Sequence, residues 1–482
     1  MGIEKQIVEL VESKRDLFIE VSDRIWEFAE VRYEEVQSAA LYSKVLKQEG
    51  FEVTEKAGGL PTAVVGSYGS GGPVIAFLGE FDALSGLSQF AGKTEHNPIV
   101  AGTSGHGCGH NLLGAGAFAA AVAYKDYLQA NNIPGTVRFY GCPAEESGGG
   151  KAFMARAGLF EGVDLAISWH PNTSNGLFQC SSLATNTVIF RFEGKSAHAA
   201  AEPHMGRSAL DAVELMNIGV NFLREHIIDQ ARIHYAITNT GGSAPNVVQS
   251  EAEVYYSIRS LTSPQVKELF ERVKDIARGA ALMTGTKMSY AVQGGSSNLV
   301  PNTTLEKVMY DKLTAIGVPA LDEAEIAYIR SLNAVLPEED KQAAAAQLSK
   351  EEREAIAEVP LATFIDKFKD NTQVMSASTD VGDVSWLVPT VQCLTATWVF
   401  GTVGHSWVAV TQGQSSHAHK MMLYAGKTMA ATAVEALHNP ELIVKAKQEH
   451  AERLNGQSYE CPIPDDVVPP GYEPERAVQS IG

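Results

Sequence analysis

Apolar runs that end in turn residues alternate with helical periodicity from Thr62 to His170, and this alternation constrains the fold most. "TAVVGSY", "PVIAFLGEFDAL", "GTVRFYG" and "VDLAISWH" each read as a buried strand. Between the second and third lies "NLLGAGAFAAAVAYKDYLQ", a helical stretch whose small residues permit close packing on a sheet. Ahead of them, "IVELVESKRDLFIEVSDRIWEFAE" carries apolar residues at helical spacing. Strand, helix, strand in this order predicts an α/β fold. Its core is a mixed, largely parallel sheet sandwiched by helices.

From Thr185 the pattern changes. "NTVIFRFEG" alternates with period two, and "RIHYAITNT" and "SEAEVYYSIRS" read as further strands. "MGRSALDAVELMNIGVNFLREH" and "SPQVKELFERVKDIARGAALMTG" read as amphipathic helices, the second with Ser263 as its N-cap. These elements predict an inserted α+β unit at 185–299, flanked by the two parts of a larger domain at 1–184 and 300–482. Within the second part, Leu321 to Asp370 is dominated by Ala, Glu and Lys, which predicts a helical surface insertion. The Pro-rich tail from Cys461 predicts extended chain, ordered where it docks.

Composition excludes several functions. The 482 residues carry a formal net charge of −19, against the basic patch that nucleic-acid binding requires. The N-terminus lacks the apolar core of an export signal, and the weakly polar run Leu112 to Tyr124 is too short to span a bilayer. Five dispersed cysteines (Cys108, Cys142, Cys180, Cys393 and Cys461) argue against a disulfide framework, so a reduced, cytoplasmic setting is expected.

Two segments concentrate reactive side chains. "GHGCGHN" places Cys108 between His106 and His110 among glycines, a donor set suited to zinc and also to manganese, iron or cobalt. A Gly-rich turn with incidental histidines is the plainer alternative. "CPAEESGGG" puts Glu145 and Glu146 at the end of a strand. Adjacent carboxylates there would repel unless one took a proton or a cation intervened. One can ligate metal while its neighbour acts as general base. His170 closes "VDLAISWH", and His405 follows "VQCLTATWVF". Each alone could be a structural residue, yet all flank strands and can meet along one sheet edge.

Taken in order, "GEFDAL", "GHGCGHN", "PAEE", "WH", "SAHAA…PHMG" and "GTVGHS" resemble the M20 peptidase family, in its amidohydrolase branch of indole-acetyl-amino-acid and aminobenzoyl-glutamate hydrolases. The resemblance runs from about Val21 to Leu437. It implies a catalytic domain with two divalent metal ions, manganese or zinc, and makes the insertion a lid and dimerisation domain. Cys108 would bridge the ions, with His110, His170, Glu146 and His405 completing the ligands. Glu145 would be the general base. Many members carry His-x-Asp where this chain has Glu80-Phe81-Asp82, so that histidine is absent; Asp82 would orient a metal-binding histidine. In the lid, His198 would polarise the scissile carbonyl across a dimer, with His204 a weaker alternative, and Asn246 and Arg259 would hold a substrate carboxylate.

The expected activity is metal-dependent hydrolysis of an N-acyl or N-aroyl amino acid, p-aminobenzoyl-glutamate first among them. The alternatives are a different acyl or amino-acid preference, or a chain that works only with a related partner. A homodimer or a heterodimer with such a partner is expected, without nucleic acid or membrane.

Overall fold

The computed structural model describes residues 2–146, 148–369, 373–469 and 471. In chain order the strands are β1 (Glu52–Glu55), β2 (Val64–Ser70), β3 (Val74–Glu80), β4 (Gly135–Cys142), β5 (Leu165–Asn172), β6 (Gly176–Leu177) and β7 (Ser181–Ser182). They continue as β8 (Ala184–Glu193), β9 (Arg232–Asn239), β10 (Glu251–Ser260), β11 (Lys287–Ser296), β12 (Val374–Met375) and β13 (Thr390–Ala396).

The central sheet has the order β1-β2-β4-β3-β5-β13-β6. Its four middle strands, β4, β3, β5 and β13, run parallel, and β1, β2 and β6 add antiparallel edges. This is the mixed, largely parallel sheet expected from the apolar runs. Helix His110–Asn131 lies against it and is buried along nearly its whole length. Its alanines let helix Ser416–His438 pack closely on its other side.

Strands β11-β8-β10-β9 form a second, antiparallel sheet. Helices Ala209–Leu223 and Ser263–Thr284 cover one face of it. The alternation read in "SEAEVYYSIRS" appears directly: Val254, Tyr256 and Ile258 are buried, while Tyr255, Ser257 and Arg259 point to the other, half-open face. This unit has its own core, including Val188, Phe190, Val213, Met216 and Val273. Its edge strand β9 pairs only with β10 and is exposed except at Ile233, leaving a row of backbone groups for another strand.

Two details differ from the sequence reading. Thr262, not Ser263, precedes helix Ser263–Thr284; Ser263 already has helical geometry. The insertion forms three helices, Glu323–Asn333, Glu338–Ala345 and Lys350–Glu358, and is not helical beyond them over the described residues because Pro360 cannot continue the last. Asn302 caps helix Thr303–Ile316 by accepting from Leu305 N–H. Capping boxes at Asp322/Glu325 and Ser349/Glu352 start two of the insertion helices. The tail docks as far as Val467, whose carbonyl, like that of Pro464, accepts from Arg156. The tail expectation for 472–482 lies outside the described residues. No helix among the described residues is long and apolar enough to cross a membrane.

Candidate metal centre

Because β3, β4, β5 and β13 are parallel, their C-terminal ends lie on one edge of the sheet. Asp82 follows β3, Glu145 and Glu146 follow β4, His170 lies near the end of β5, and His405 follows β13. Cys108 and His110 arrive at the same edge on the turn that starts helix His110–Asn131.

Two glycines let that turn reach the site. Gly109 has φ +74°, a backbone region costly for any residue with a Cβ. At Gly107 a Cβ would stand 2.4 Å from Leu87 and 3.2 Å from the His405 Cα. That close approach brings the two ligand loops together, and His405 N–H donates to Gly107 O at 2.9 Å. His405 itself has φ +58°, a strained conformation held by this contact.

The ligand atoms form overlapping groups. Cys108, His110 and His170 make one, Cys108, Glu146 and His405 a second, and Glu80, His110 and Glu145 a third, each within 4.8 Å internally. Cys108 Sγ is 3.5 Å from His170 Nε2, and His405 Nε2 is 3.4 Å from Glu146 Oε1. Cys108 is common to two groups, which is the position a bridging thiolate needs.

Hydrogen bonds orient the imidazoles. His110 Nδ1 lies 3.0 Å from Asp82 Oδ1 and 3.1 Å from Asp82 O, both acceptors, so Nδ1 carries the proton and the Nε2 lone pair faces the cluster. His170 Nδ1 donates to Pro171 O at 2.7 Å, which likewise frees Nε2. Asp82 Oδ2 also accepts from Glu146 N–H at 2.8 Å, so one carboxylate braces two ligand segments. His110 Nε2 and Glu146 Oε1 are buried without a hydrogen-bond partner among the described residues. Orphaned acceptors of this kind, beside a thiol and two further imidazoles, fit a divalent metal.

Burial, then the charges of Glu80 and Glu146, drives the proton affinity of Glu145 well above the usual carboxylate range. Burial also raises Glu146, but the adjacent His405 imidazole and then His110 outweigh it and hold it below that range. Burial pushes the Cys108 thiol up, so a cation is what would stabilise its thiolate. His106 is fully buried, donates through Nε2 to the Ile25 carbonyl at 3.0 Å, and is pushed down to about 4 by burial. It belongs to the packing of the turn.

The candidates on the four-stranded unit belong to none of these ligand groups. His198 is exposed; its Nδ1 accepts from Ala200 and Ala201 N–H at 3.3 and 3.1 Å, which leaves the ring proton of the neutral form on Nε2. The exposed Asn246 is beside it, through Ala199 N–H donating to Asn246 O. His204 is exposed in a short turn. Arg259 lies on the half-open face of β10, opposite Thr185 and Arg232, and none of the described carboxylates forms an ion pair with it.

Sequence reasoning missed the charged floor of the site. Glu80 carries Lys151 at 2.6 Å, and Lys151 also pairs with Asp380 at 2.5 Å, all three buried. Glu35, raised to about 8 by burial and then by Asp82, accepts from Ala144 N–H and so holds the turn before Glu145. The available signal was Lys151 itself, a charge directly after the Gly run of "EESGGGK" and ahead of apolar "AFMA". The insertion also bears on the site. Phe400 N–H donates to Pro360 O, and Asn333 Nδ2 donates to Phe400 O, which buttresses the loop leading to His405.

Comparison with known proteins places the chain in a family. The profile of peptidase family M20/M25/M40 matches residues 76–391. The chain is 46% identical over 470 residues to one of the subunits of p-aminobenzoyl-glutamate hydrolase of Escherichia coli, covering 96% of this chain and 98% of that protein. It is 28% identical to a second, separate subunit of the same E. coli hydrolase, over 50% of this chain and 57% of that one. Among solved structures, a dinuclear metal-binding peptidase of the M20 family from Bacillus subtilis superposes with a TM-score of 0.53 at 17% identity, over 89% of this chain and 99% of the other.

Proposed function

Because the chain belongs to peptidase family M20/M25/M40 and is a metal-dependent hydrolase of that family, we propose that it cleaves the amide of p-aminobenzoyl-glutamate to p-aminobenzoate and glutamate. The observation that carries the substrate is the 46% identity to a subunit of the E. coli hydrolase across 96% of the chain.

Cys108, His110, Glu146, His170 and His405 would hold two divalent ions, manganese or zinc. The ions would supply Lewis acidity toward the scissile carbonyl and the attacking water. Glu145 takes a proton from that water as its oxygen bonds to the carbonyl carbon. It then returns the proton to the glutamate nitrogen as the C–N bond breaks. Asp82 orients His110 and the Glu146 segment. His198, with its ring proton on Nε2, donates to the developing oxyanion. His198 is exposed and belongs to none of the ligand groups, which favours delivery from a partner chain. Arg259 has no acidic partner among the described residues and takes a substrate carboxylate, with Asn246 assisting.

A second reading concerns assembly. The related E. coli hydrolase has two distinct subunits, and the lid of this chain offers an exposed edge strand and an apolar helix face with Ile218 52% and Phe222 73% exposed. These features support a dimer through the lid, with a second copy or a related chain. The deciding experiment assays metal-reconstituted protein, alone and with a related partner, against N-aroyl and N-acyl amino acids. Fastest turnover of p-aminobenzoyl-glutamate is expected. Preference for an aliphatic N-acyl substrate would overturn the substrate assignment.

A further inference from the structure

Glu80 stands against the ligand cluster without belonging to its centre. Its Oε2 is 3.3 Å from His110 Nε2, the atom whose lone pair faces the cluster. It shares a 4.8 Å group with His110 and Glu145, yet no such group joins it to Cys108 or His170. A carboxylate this near a divalent cation, if free to turn, would bind it and fill a coordination position.

Glu80 is not free to turn. Its Oε1 is 2.6 Å from Lys151 Nζ, and both side chains are buried. Lys151 is itself anchored twice on Asp380: the ammonium lies 2.5 Å from Oδ1, and the backbone N–H donates to Oδ2 at 2.9 Å. Helix Gly150–Arg156 carries Lys151, so the ammonium cannot follow Glu80 toward the ligands without leaving Asp380 uncompensated. Breaking a buried pair of this kind is costly, and the geometry is therefore a restraint on Glu80.

We propose that Lys151 is a positioning residue: anchored on Asp380, it pins Glu80 outside the metal's coordination sphere and keeps a position open for water and substrate. This rests on the reading of His110 and its partners as metal ligands.

The test measures metal affinity and release on the full chain, with zinc or manganese alone as the probe and a chromogenic chelator as competitor. Glu80→Gln leaves Lys151 paired with Asp380. It should keep wild-type metal stoichiometry and affinity to within about threefold, because Glu80 is not a ligand. Loss of an ion, or weakening beyond about tenfold, would make Glu80 a ligand and overturn the proposal. Lys151→Met with Asp380→Asn releases Glu80 and strands no other charge. This pair should release metal at least about tenfold more slowly and lose kcat with little change in KM. Adding Glu80→Gln to the pair should return metal release to the wild-type rate. Wild-type release in the pair, or slow release that persists in the triple variant, refutes the restraint. If the pair does not fold, Lys151→Gln with Asp380→Asn, which fills the same space with neutral polar groups, replaces it under the same criteria. His110→Ala separates the two readings: wild-type metal binding in that variant would defeat the ligand assignment, whatever Glu80→Gln does.

Discussion

Asp82 holds His110 with one carboxylate oxygen, at 3.0 Å from Nδ1, and the backbone of Glu146 with the other, at 2.8 Å from its N–H. Ligands on two separate loops thus share one brace. Asp82→Asn puts a donor where one of these acceptors stood. We expect metal affinity to fall about ten- to hundredfold, read by chelator competition, with the fold retained.

Glu145→Gln should bind metal like the wild type and lose about two to four orders of magnitude in kcat. The check is metal content by elemental analysis beside turnover. Near-normal turnover would remove Glu145 from the reaction.

A dimer that supplies His198 in trans permits complementation. His198→Ala and Glu145→Gln are each expected to be inactive as homodimers. After mixing and exchange of protomers, half of the dimers carry one intact site, and about a quarter of wild-type activity should return. No recovery in a mixture shown to exchange would place His198 in its own protomer's site or outside the reaction.

Arg259→Ala should raise KM roughly ten- to hundredfold for substrates with a free α-carboxylate, the loss of a bidentate charged contact. Carboxylate-free amides should be unaffected. Equal loss for both kinds of substrate would mean that Arg259 supports the lid sheet.

His417, outside the metal centre, gives a pH dependence. It is fully buried, its Nε2 donates to Thr397 O, and burial lowers its proton affinity to about 4 from an ordinary 6.5. Between those values the unfolded chain binds a proton that the native state refuses. Stability therefore rises with pH through this window and falls as pH drops toward 4, by roughly 3 kcal/mol at full extent for such a shift. His417→Gln, which keeps a donor toward Thr397, should flatten the urea midpoint between pH 6.5 and 4 relative to wild type. An unchanged slope would assign the acid sensitivity elsewhere.

Much of this architecture was legible because periodicity reports burial. The four apolar runs became β2, β3, β4 and β5, and the parallel order of the last three explains why Glu145 and His170 stand at one sheet edge. Cys108 and His110 stood out because glycines leave a ligand turn nothing else to do. Lys151 was not legible, since a lysine after a Gly run reads as a solvated charge until its partners Glu80 and Asp380 are known. Those partners come from distant parts of the chain. The same holds for the insertion, whose composition predicts helix but not that Pro360 and Asn333 brace the loop before His405. The boundary at Ser263 failed by one residue, because neighbouring Thr and Ser are equally plausible caps until backbone dihedrals are known.

The proposed chemistry and the proposed recognition are built on separately cored units. Every proposed metal ligand stands on the central sheet's edge, whereas His198, Asn246 and Arg259 stand on the four-stranded unit with a hydrophobic core of its own. The two can therefore diverge at different rates. Exchange of the segment between Leu183 and Ser297 for that of a relative would be a recombination along a natural seam, carrying a new appetite to an unchanged reaction.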